Sequence, residues 1–457
     1  MEASVKTVFV VGAGPAGLFA ARKIATAGYR VVIFNRDIKP GGLAEYGIYP
    51  VKDKMKDGLR KQFGKILELP EVAYFGHLPV GEGKALTLDE LRQWNPAALV
   101  FAVGAQGTKK LGLPGEEARG VYSAKDFVYH YNRLPPFATR DFSTGKRIAI
   151  IGMGNVMVDI ARWVMQDDPE RKTEEVTVIA RRGPFEVKFD EKEFDHIEAH
   201  LDRRALQDEL RRVKERIAAV GQDIAKVPES SFPTLAKPFQ EATAPRLTFR
   251  FLSSPAAIHA DAAGRIARLT VTENLLVAKN GSTAAKATDK TSELEFDTLI
   301  FAIGDVVDPT VGLPYGKDGY VTNPDTAEAE RAAYEVFDPA GGKVVEGTYV
   351  VGWARKASEG LVGKARFDAE QGATHILKHL ESAPARMSAA PEEIRAALAH
   401  KGVALVAKEE LPYLGRAEEK QARARGLHSF KFADDAEMLR AIEEEKSKGN
   451  SGRAAAD

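Results

Sequence analysis

Two stretches of the chain repeat one design: a short apolar strand, a glycine-rich turn and a helical pattern. They are TVFVVGAGPAGLFAARKIATAG at 7–28 and KRIAIIGMGNVMVDIARWVMQ at 146–166. Each is answered later by a near-identical strand end, VFAVGA at 100–105 and IFAIGD at 300–305. A strand that runs straight into a turn and a helix buries itself between parallel neighbours, so the repeat confines the chain to an α/β protein with mainly parallel sheets. The reading is two Rossmann-like nucleotide-binding domains, the second inserted into the first. The first domain is expected at 1–105 and 316–457, the second at 106–315. Residues 382–391 read as a linker to a small appendage, with one helix over 392–401 and a last helix starting near Asp434. The tail GNSGRAAAD has no apolar pattern and is expected to be disordered.

The first turn is Gly12-Ala13-Gly14-Pro15-Ala16-Gly17, between a strand at 8–11 and a helix at 16–27. Gly12 permits the tight turn, Gly14 lets backbone approach a pyrophosphate, and Gly17 lets helix and strand pack closely. The helix N-terminus adds free N–H groups and a positive dipole end. A carboxylate is expected about 20 residues on, to accept from the ribose hydroxyls. The residue after the strand YRVVIF is Asn35, a weaker acceptor.

The second turn, Gly152-x-Gly154-x-x-Met157, departs at its third position, where Gly or Ala is usual, and Met157 is expected to push the helix slightly outward. The strand EVTVIA that follows ends in Arg181-Arg182-Gly183. Two arginines at that place suit a 2′-phosphate, through charge-assisted hydrogen bonds, which argues for NADP over NAD.

Composition narrows the chemistry. Cys 0 excludes disulfides, thiolate nucleophiles and clusters ligated by this chain's own thiolates. Redox work must then run on a bound organic cofactor or a partner's cluster, and the two nucleotide sites suggest one tightly held flavin and one exchangeable NADPH. Lys+Arg 65 against Asp+Glu 65 gives no global attraction for nucleic acid or an anionic membrane. No apolar run approaches the ~20 residues of a bilayer span, so no integral membrane association is expected. The first strand begins by Val8, which leaves no room for a leader and makes a cytoplasmic setting the expectation.

Further residues carry a resemblance. GLPGEEARGVYSAKDFVYHYN at 112–132, GNVMVDIAR with ARRGPFEVKFDEKEF, GWARKASEGLV at 352–362 and the closing GLHSFKFADDAEML are similar to adrenodoxin reductase and its bacterial relatives, the FAD-dependent ferredoxin–NADP+ reductases. The resemblance spans nearly the whole chain. It implies FAD against Gly12–Gly17, with Asn35 where the family has Glu, and with Gly42, Leu43, Val80, Gly104, Gly352 and Trp353 also on the flavin. Backbone at Gly360, Leu361 and Val362 would meet the ring's polar edge, and Gly360 would touch both cofactors. For NADP(H) it implies Gly152, Gly154, Asn155 and Val156 at the pyrophosphate, Arg181 and Arg182 at the 2′-phosphate, and Glu193. No side chain is assigned as catalytic and none as a metal ligand.

The function implied is electron transfer between NADPH and a ferredoxin-type iron–sulfur protein, by hydride transfer to flavin N5 and then one-electron steps. A monomer is favoured. The alternatives are an NAD(P)H-dependent flavin reductase of a small acceptor such as a quinone, or a flavin-binding protein with a degenerate NADP site. Departures gather near the flavin: Val51 and Lys52 replace an acid and a histidine, and Ala357-Ser358-Glu359 stands for Gly-Pro-Thr. His196 and His200 lie one helical turn apart and are read as a solvated face rather than a metal site. The arginines of 203–216 are read as an ordinary exposed helix face, with ferredoxin docking as the other reading.

Overall fold

The computed structural model describes residues 6–317, 319–357, 362–384 and 387–454. The chain divides into two compact units, 1–108 with 129–139 and 304–457, and 109–128 with 140–303.

The first unit holds a seven-stranded sheet in the order Glu335–Asp338, Lys343–Val350, Ala98–Phe101, Thr7–Val11, Arg30–Phe34, Val72–Gly76, Val406–Ala407. The five inner strands pair in parallel, and the two edge strands pair antiparallel. Its strands read as unbroken apolar runs because both faces are covered. Val8, Val10, Val31, Ile33 and Val100 enter one buried cluster with the helix Pro15–Thr26 and the helix Val362–Ser382. Phe9, Val11, Val32, Phe34 and Phe101 point to the other face, into a cluster with Leu86, Leu91, Ile394 and Leu398. Ile394 and Leu398 come from the appendage helix Pro391–His400.

The second unit carries a five-stranded sheet, all parallel, in the order Val121–Ser123, Thr298–Phe301, Arg147–Ile151, Glu175–Ile179, Arg246–Arg250. A separate antiparallel sheet joins Ser253–Ala260, Ile266–Lys279 and Ser282–Glu295. Its long hairpin turns at Asn280-Gly281, where φ is +44° and +75°. Two positive φ values in a two-residue loop match the right-handed strand twist, which is why Asn-Gly occupies it.

Several expectations are corrected. Residues 129–139 return to the first unit instead of continuing the second, and the second crossing falls at 303/304 rather than after 315. The cause of the first is burial: Tyr129 and Leu134 form an apolar cluster with Tyr46. The last helix runs Asp435–Ala454, well into the stretch expected to be disordered. Ion pairs of Lys446 with Glu443 and Lys448 with Glu445, three residues apart, carry the helix forward. His200 is buried and contacts the carbonyls of Thr243 and Pro245 through Nδ1, so it is not part of a solvated face. On the helix Arg203–Ala218, Arg203 is buried, and Arg212 and Arg216 pair with Glu209 and Glu273.

Candidate functional site: two glycine cradles

In the first unit the strand Thr7–Val11 has parallel neighbours on both sides, and the chain leaves its C-terminal end through Gly12. Open α/β sheets bind ligands at such a place. Gly12 has φ +104°, and a Cβ there would lie 2.5 Å from the Ala102 carbonyl oxygen. A Cβ on Gly17 would lie 1.9 Å from the Gly12 carbonyl oxygen. Both glycines are therefore packing requirements. Gly14 differs, because a Cβ there meets nothing within 4 Å. It is the N-cap of the helix Pro15–Thr26, and Pro15 at the first helical position costs no backbone donor.

Other segments close around this turn. The Gly41 N–H donates to the Ala13 carbonyl at 2.7 Å. Gly42 lies so near that its absent Cβ would stand 3.1 Å from Gly14 Cα. Leu43 opens the short helix Leu43–Tyr46 directly after it. Gly352, φ +65°, comes against the first turn of the long helix, where a Cβ would sit 2.5 Å from Ala16 Cβ. The Gly352 N–H is held by Asp368 Oδ2 at 2.6 Å, and half-buried Trp353 follows it in the turn Gly352–Ala354. Gly104, φ +68°, follows the strand Ala98–Phe101. Val80 is bridged to Leu86 and packs against the other face's core. Val362 begins the helix Val362–Ser382, and Gly360 and Leu361 lie outside the described residues.

Asn35 is 5% exposed and its amide is committed within the turn. Its Oδ1 accepts from the Ala13 N–H at 2.9 Å, and its Nδ2 donates to the carbonyls of Asp37 and Lys39 at 2.8 and 3.1 Å. An amide can bridge a donor on one loop and acceptors on another, which a carboxylate cannot do. Asn35 thus braces the cradle in place of the acid expected there.

Behind the helix Leu43–Tyr46 lies a buried charge cluster that sequence reading did not anticipate. Glu45, 3% exposed, receives a two-pronged contact from Arg60 at 2.7 and 2.8 Å. Lys431 reaches it from the appendage at 3.0 Å, and Lys39 stands at 3.8 Å while pairing with Glu418 at 2.5 Å. Burial alone would raise the Glu45 carboxyl, but Lys39, Arg60 and Lys431 hold it well below the usual range. The end of the motif GLHSFKF was the one available signal, through Lys431.

The second unit repeats the first cradle. Gly152, φ +122°, packs so that a Cβ would lie 2.2 Å from the Ala302 carbonyl oxygen, whereas Gly154 again faces open space. Met157 is fully buried in the helix Asn155–Arg162. Val156 on the first turn is 47% exposed. Asn155 exchanges hydrogen bonds with Asp190: its Nδ2 donates to Oδ2 at 2.7 Å and its Oδ1 accepts from the N–H at 2.8 Å. Glu193 is next to this pair, on the helix Glu191–Phe194, and its N–H donates to the Asp190 carbonyl. Arg181 is exposed and Arg182 half-buried just past the strand Glu175–Ile179. Their backbone is pinned by Asn274 Nδ2 to the Arg181 carbonyl and by the Leu252 N–H to the Arg182 carbonyl. A cavity of about 510 Å³ opens beside Arg182, bounded by Glu186, Gln222 and the hairpin tip. Among the described residues no group of three or more acids or histidines could hold a metal ion.

Comparison with known proteins agrees with this geometry. The family model described as pyridine nucleotide-disulphide oxidoreductase matches residues 6–333. NADPH-ferredoxin reductase FprA of Mycobacterium leprae is 31% identical over 410 residues, covering 82% of this chain and 84% of that protein. The mitochondrial NADPH:adrenodoxin oxidoreductase of Bos taurus is 28% identical, with 95% and 92% covered. The solved structure of Mycobacterium tuberculosis FprA in complex with NADPH superposes with a TM-score of 0.78 at 27% identity, covering 96% of this chain and 99% of that one.

Proposed function

The chain belongs to the pyridine nucleotide-disulphide oxidoreductase family, and from that premise we propose that it is an NADPH-dependent flavoprotein reductase of a ferredoxin-type iron–sulfur protein. The family's disulphide chemistry is closed to a chain with Cys 0. The observation that carries the reading is the matched pair of cradles, each packed tight at its first glycine and open at its second, with an arginine pair beside only the latter. In the first, the turn of Gly12, Ala13, Gly14, Pro15, Ala16 and Gly17 holds FAD at open Gly14 and at the helix N-terminus, the Ala13 backbone being taken by Asn35 and Gly41; Gly42 and Leu43 approach from the next loop, and Gly352 and Trp353 close from the far strand. In the second, Gly154, Asn155 and Val156 take the pyrophosphate of NADP(H), and Arg181 and Arg182 take the 2′-phosphate.

When bound, the cofactors supply the chemistry: a hydride passes from the nicotinamide to the flavin and single electrons leave for the protein acceptor. The protein's own part is to bind, orient and exclude water, and no side chain has to move a proton for the hydride step. Among the described residues no helix is long and apolar enough to cross a membrane. A cytoplasmic setting and a monomeric state belong to the same proposal, and a cysteine-free composition suits a reducing compartment.

The test is an absorption spectrum of the purified protein, reconstituted with FAD, before and after anaerobic NADPH. The expected result is a flavin spectrum that NADPH bleaches, followed by salt-sensitive turnover with ferredoxin. A protein that takes up no FAD, or holds FAD that NADPH does not bleach, overturns the proposal. Faster turnover with quinones than with ferredoxin would replace the acceptor and leave the rest.

A further inference from the structure

Lys56 and Lys431 are two of the most buried lysines in the first unit, and the cofactor reading above gives neither a role. Lys56 is 3% exposed and its Nζ donates to Asn132 Oδ1 at 3.1 Å. Lys431 is 8% exposed; its Nζ donates to the Glu45 carbonyl at 2.7 Å and to the Asn132 carbonyl at 3.4 Å, and lies 4.7 Å from the centre of the Tyr46 ring. The two lysines thus clasp Asn132 from both ends. They join three distant segments: the helix Asp53–Leu67, the returning segment 129–139, and the appendage. What they hold in place is the helix Leu43–Tyr46, whose preceding Gly42 touches Gly14. At 1.5 Å of rise per residue, Glu45 is only about 4.5 Å along the axis from that contact.

The charges in this space do not balance. Lys39, Lys56 and Lys431 face two buried carboxylates, Glu45 and Glu418, while Arg60, 34% exposed, also pairs with Asp57 at 2.9 Å. Of the further acids, Asp53 and Asp57 are 29% and 46% exposed, where water screens them, and Asp37 and Asp435 act on Tyr46 beside Lys431, Asp37 being paired with Arg36. A buried excess of positive charge close to a cofactor cradle favours whichever cofactor state carries more negative charge.

We infer that Lys56 and Lys431 are positioning residues that brace the flavin-facing helix and, through their charge, bias a bound flavin toward its reduced form. The inference rests on the assignment of FAD to the first cradle. It goes beyond that assignment by giving the appendage and the returning segment a part in setting the flavin potential.

The pH behaviour follows from the same cluster. Burial, with help from Lys431 and Arg60 against Glu45 and Asp53, pulls Lys56 down to about 7. Burial and Lys39, opposed by Glu45, bring Lys431 to about 8. Reduction of the flavin adds negative charge and so raises both values. Between pH 7 and 9 the reduced protein therefore holds protons that the oxidised protein has released.

The experiment measures the two-electron midpoint potential of the FAD-reconstituted protein by equilibration with reference dyes, from pH 6 to 9, for wild type, Lys56→Met, Lys431→Met and Lys431→Arg. At pH 6.5 each Met variant should lose about tenfold in preference for the reduced flavin, a midpoint lower by ~30 mV for a two-electron couple. Lys431→Arg keeps the charge and should keep the wild-type midpoint. A purely structural role would weaken both flavin states alike and leave the midpoint unmoved, which overturns the inference. Should the Met variants fail to retain FAD, wild type decides alone. Its potential should fall with pH more steeply than that of free FAD by about 30 mV per unit above pH 7. A line parallel to free FAD overturns the inference. Wild type that binds no FAD refutes the cofactor assignment itself, a different result from either.

Discussion

Gly14 and Gly17 sit three residues apart in one turn, and the structure gives them opposite reasons to be glycine. Alanine at Gly17 would place its Cβ 1.9 Å from the Gly12 carbonyl oxygen, where ordinary contact begins at 3.4 Å. Helix and turn must separate by about 1.5 Å, against backbone that has no rotamer to yield. Overpacking of a tight core costs about 1–3 kcal/mol, and this contact belongs at the upper end. For a unit of this size ~3 kcal/mol lowers Tm by roughly 6–12 °C. Alanine at Gly14 meets nothing, and φ −74° with ψ −179° suits any residue. The roughly 0.5–1 kcal/mol lost by alanine relative to glycine at an N-cap is offset by the ~0.4–1 kcal/mol gained from a stiffer unfolded chain. The cofactor-free protein should thus melt within about 2 °C of wild type. Its FAD affinity, however, should fall at least ~100-fold, about 2.7 kcal/mol, because the new methyl occupies the space given to the pyrophosphate. Differential scanning fluorimetry of the apo variants and fluorescence titration with FAD read the two quantities separately. Gly14→Ala that binds FAD at wild-type strength, or that melts as early as Gly17→Ala, refutes the assignment of the open glycine to the ligand.

Replacing Arg181 or Arg182 by Ala should weaken NADPH by about 2 kcal/mol each, the scale of a hydrogen bond to a charged group, and leave NADH nearly unchanged; equal losses in rapid-reaction titrations with the two nucleotides would disprove the 2′-phosphate role. Glu45→Gln should destabilise the protein by about 3 kcal/mol at pH 7, since it removes the buried counter-charge that Lys39 and Lys431 share. Because the Glu45 carboxyl is held below its unfolded value, its contribution is present above about pH 4.5 and is lost as pH falls further; urea melts from pH 7 to 3 should show wild type and variant converging in acid. Lys56 follows the same sign in a higher pH window. The unfolded chain keeps that proton to about pH 10 while the folded lysine releases it near 7, so stability should rise with pH between the two, and Lys56→Met should flatten that rise in denaturant melts.

The two turns were legible because their requirements are local. A glycine that must have positive φ, such as Gly12 or Gly152, is marked by its own identity and by the strand before it. The arginine pair was legible for the same reason, since its place is counted along one strand. Asn35 reads as a weak ribose acceptor because the sequence shows its position but not its partners, three backbone groups on two loops and the Tyr74 hydroxyl. The return of 129–139 to the first unit was not legible, because the apolar partners of Tyr129 and Leu134 lie some 85 residues earlier, at Leu43 and Tyr46. The hairpin of 266–295 left little trace, since its second strand, STAAKATDKTSELE, is mostly polar and is set by pairing with the first. The histidines of HIEAH misled because a run of charges does not say which face a short 3-10 turn presents.

The bond from Lys431 to the Glu45 carbonyl spans 386 positions of the chain. A ribosome adding 5–20 residues per second needs roughly 20–80 s to travel that far. Throughout that interval the nascent polypeptide carries the Glu45 carboxylate without the lysine that pairs with it. The wall behind the first cradle is therefore complete only after translation has passed Lys431, and capture of FAD at that cradle, as proposed, would belong to the nearly completed chain.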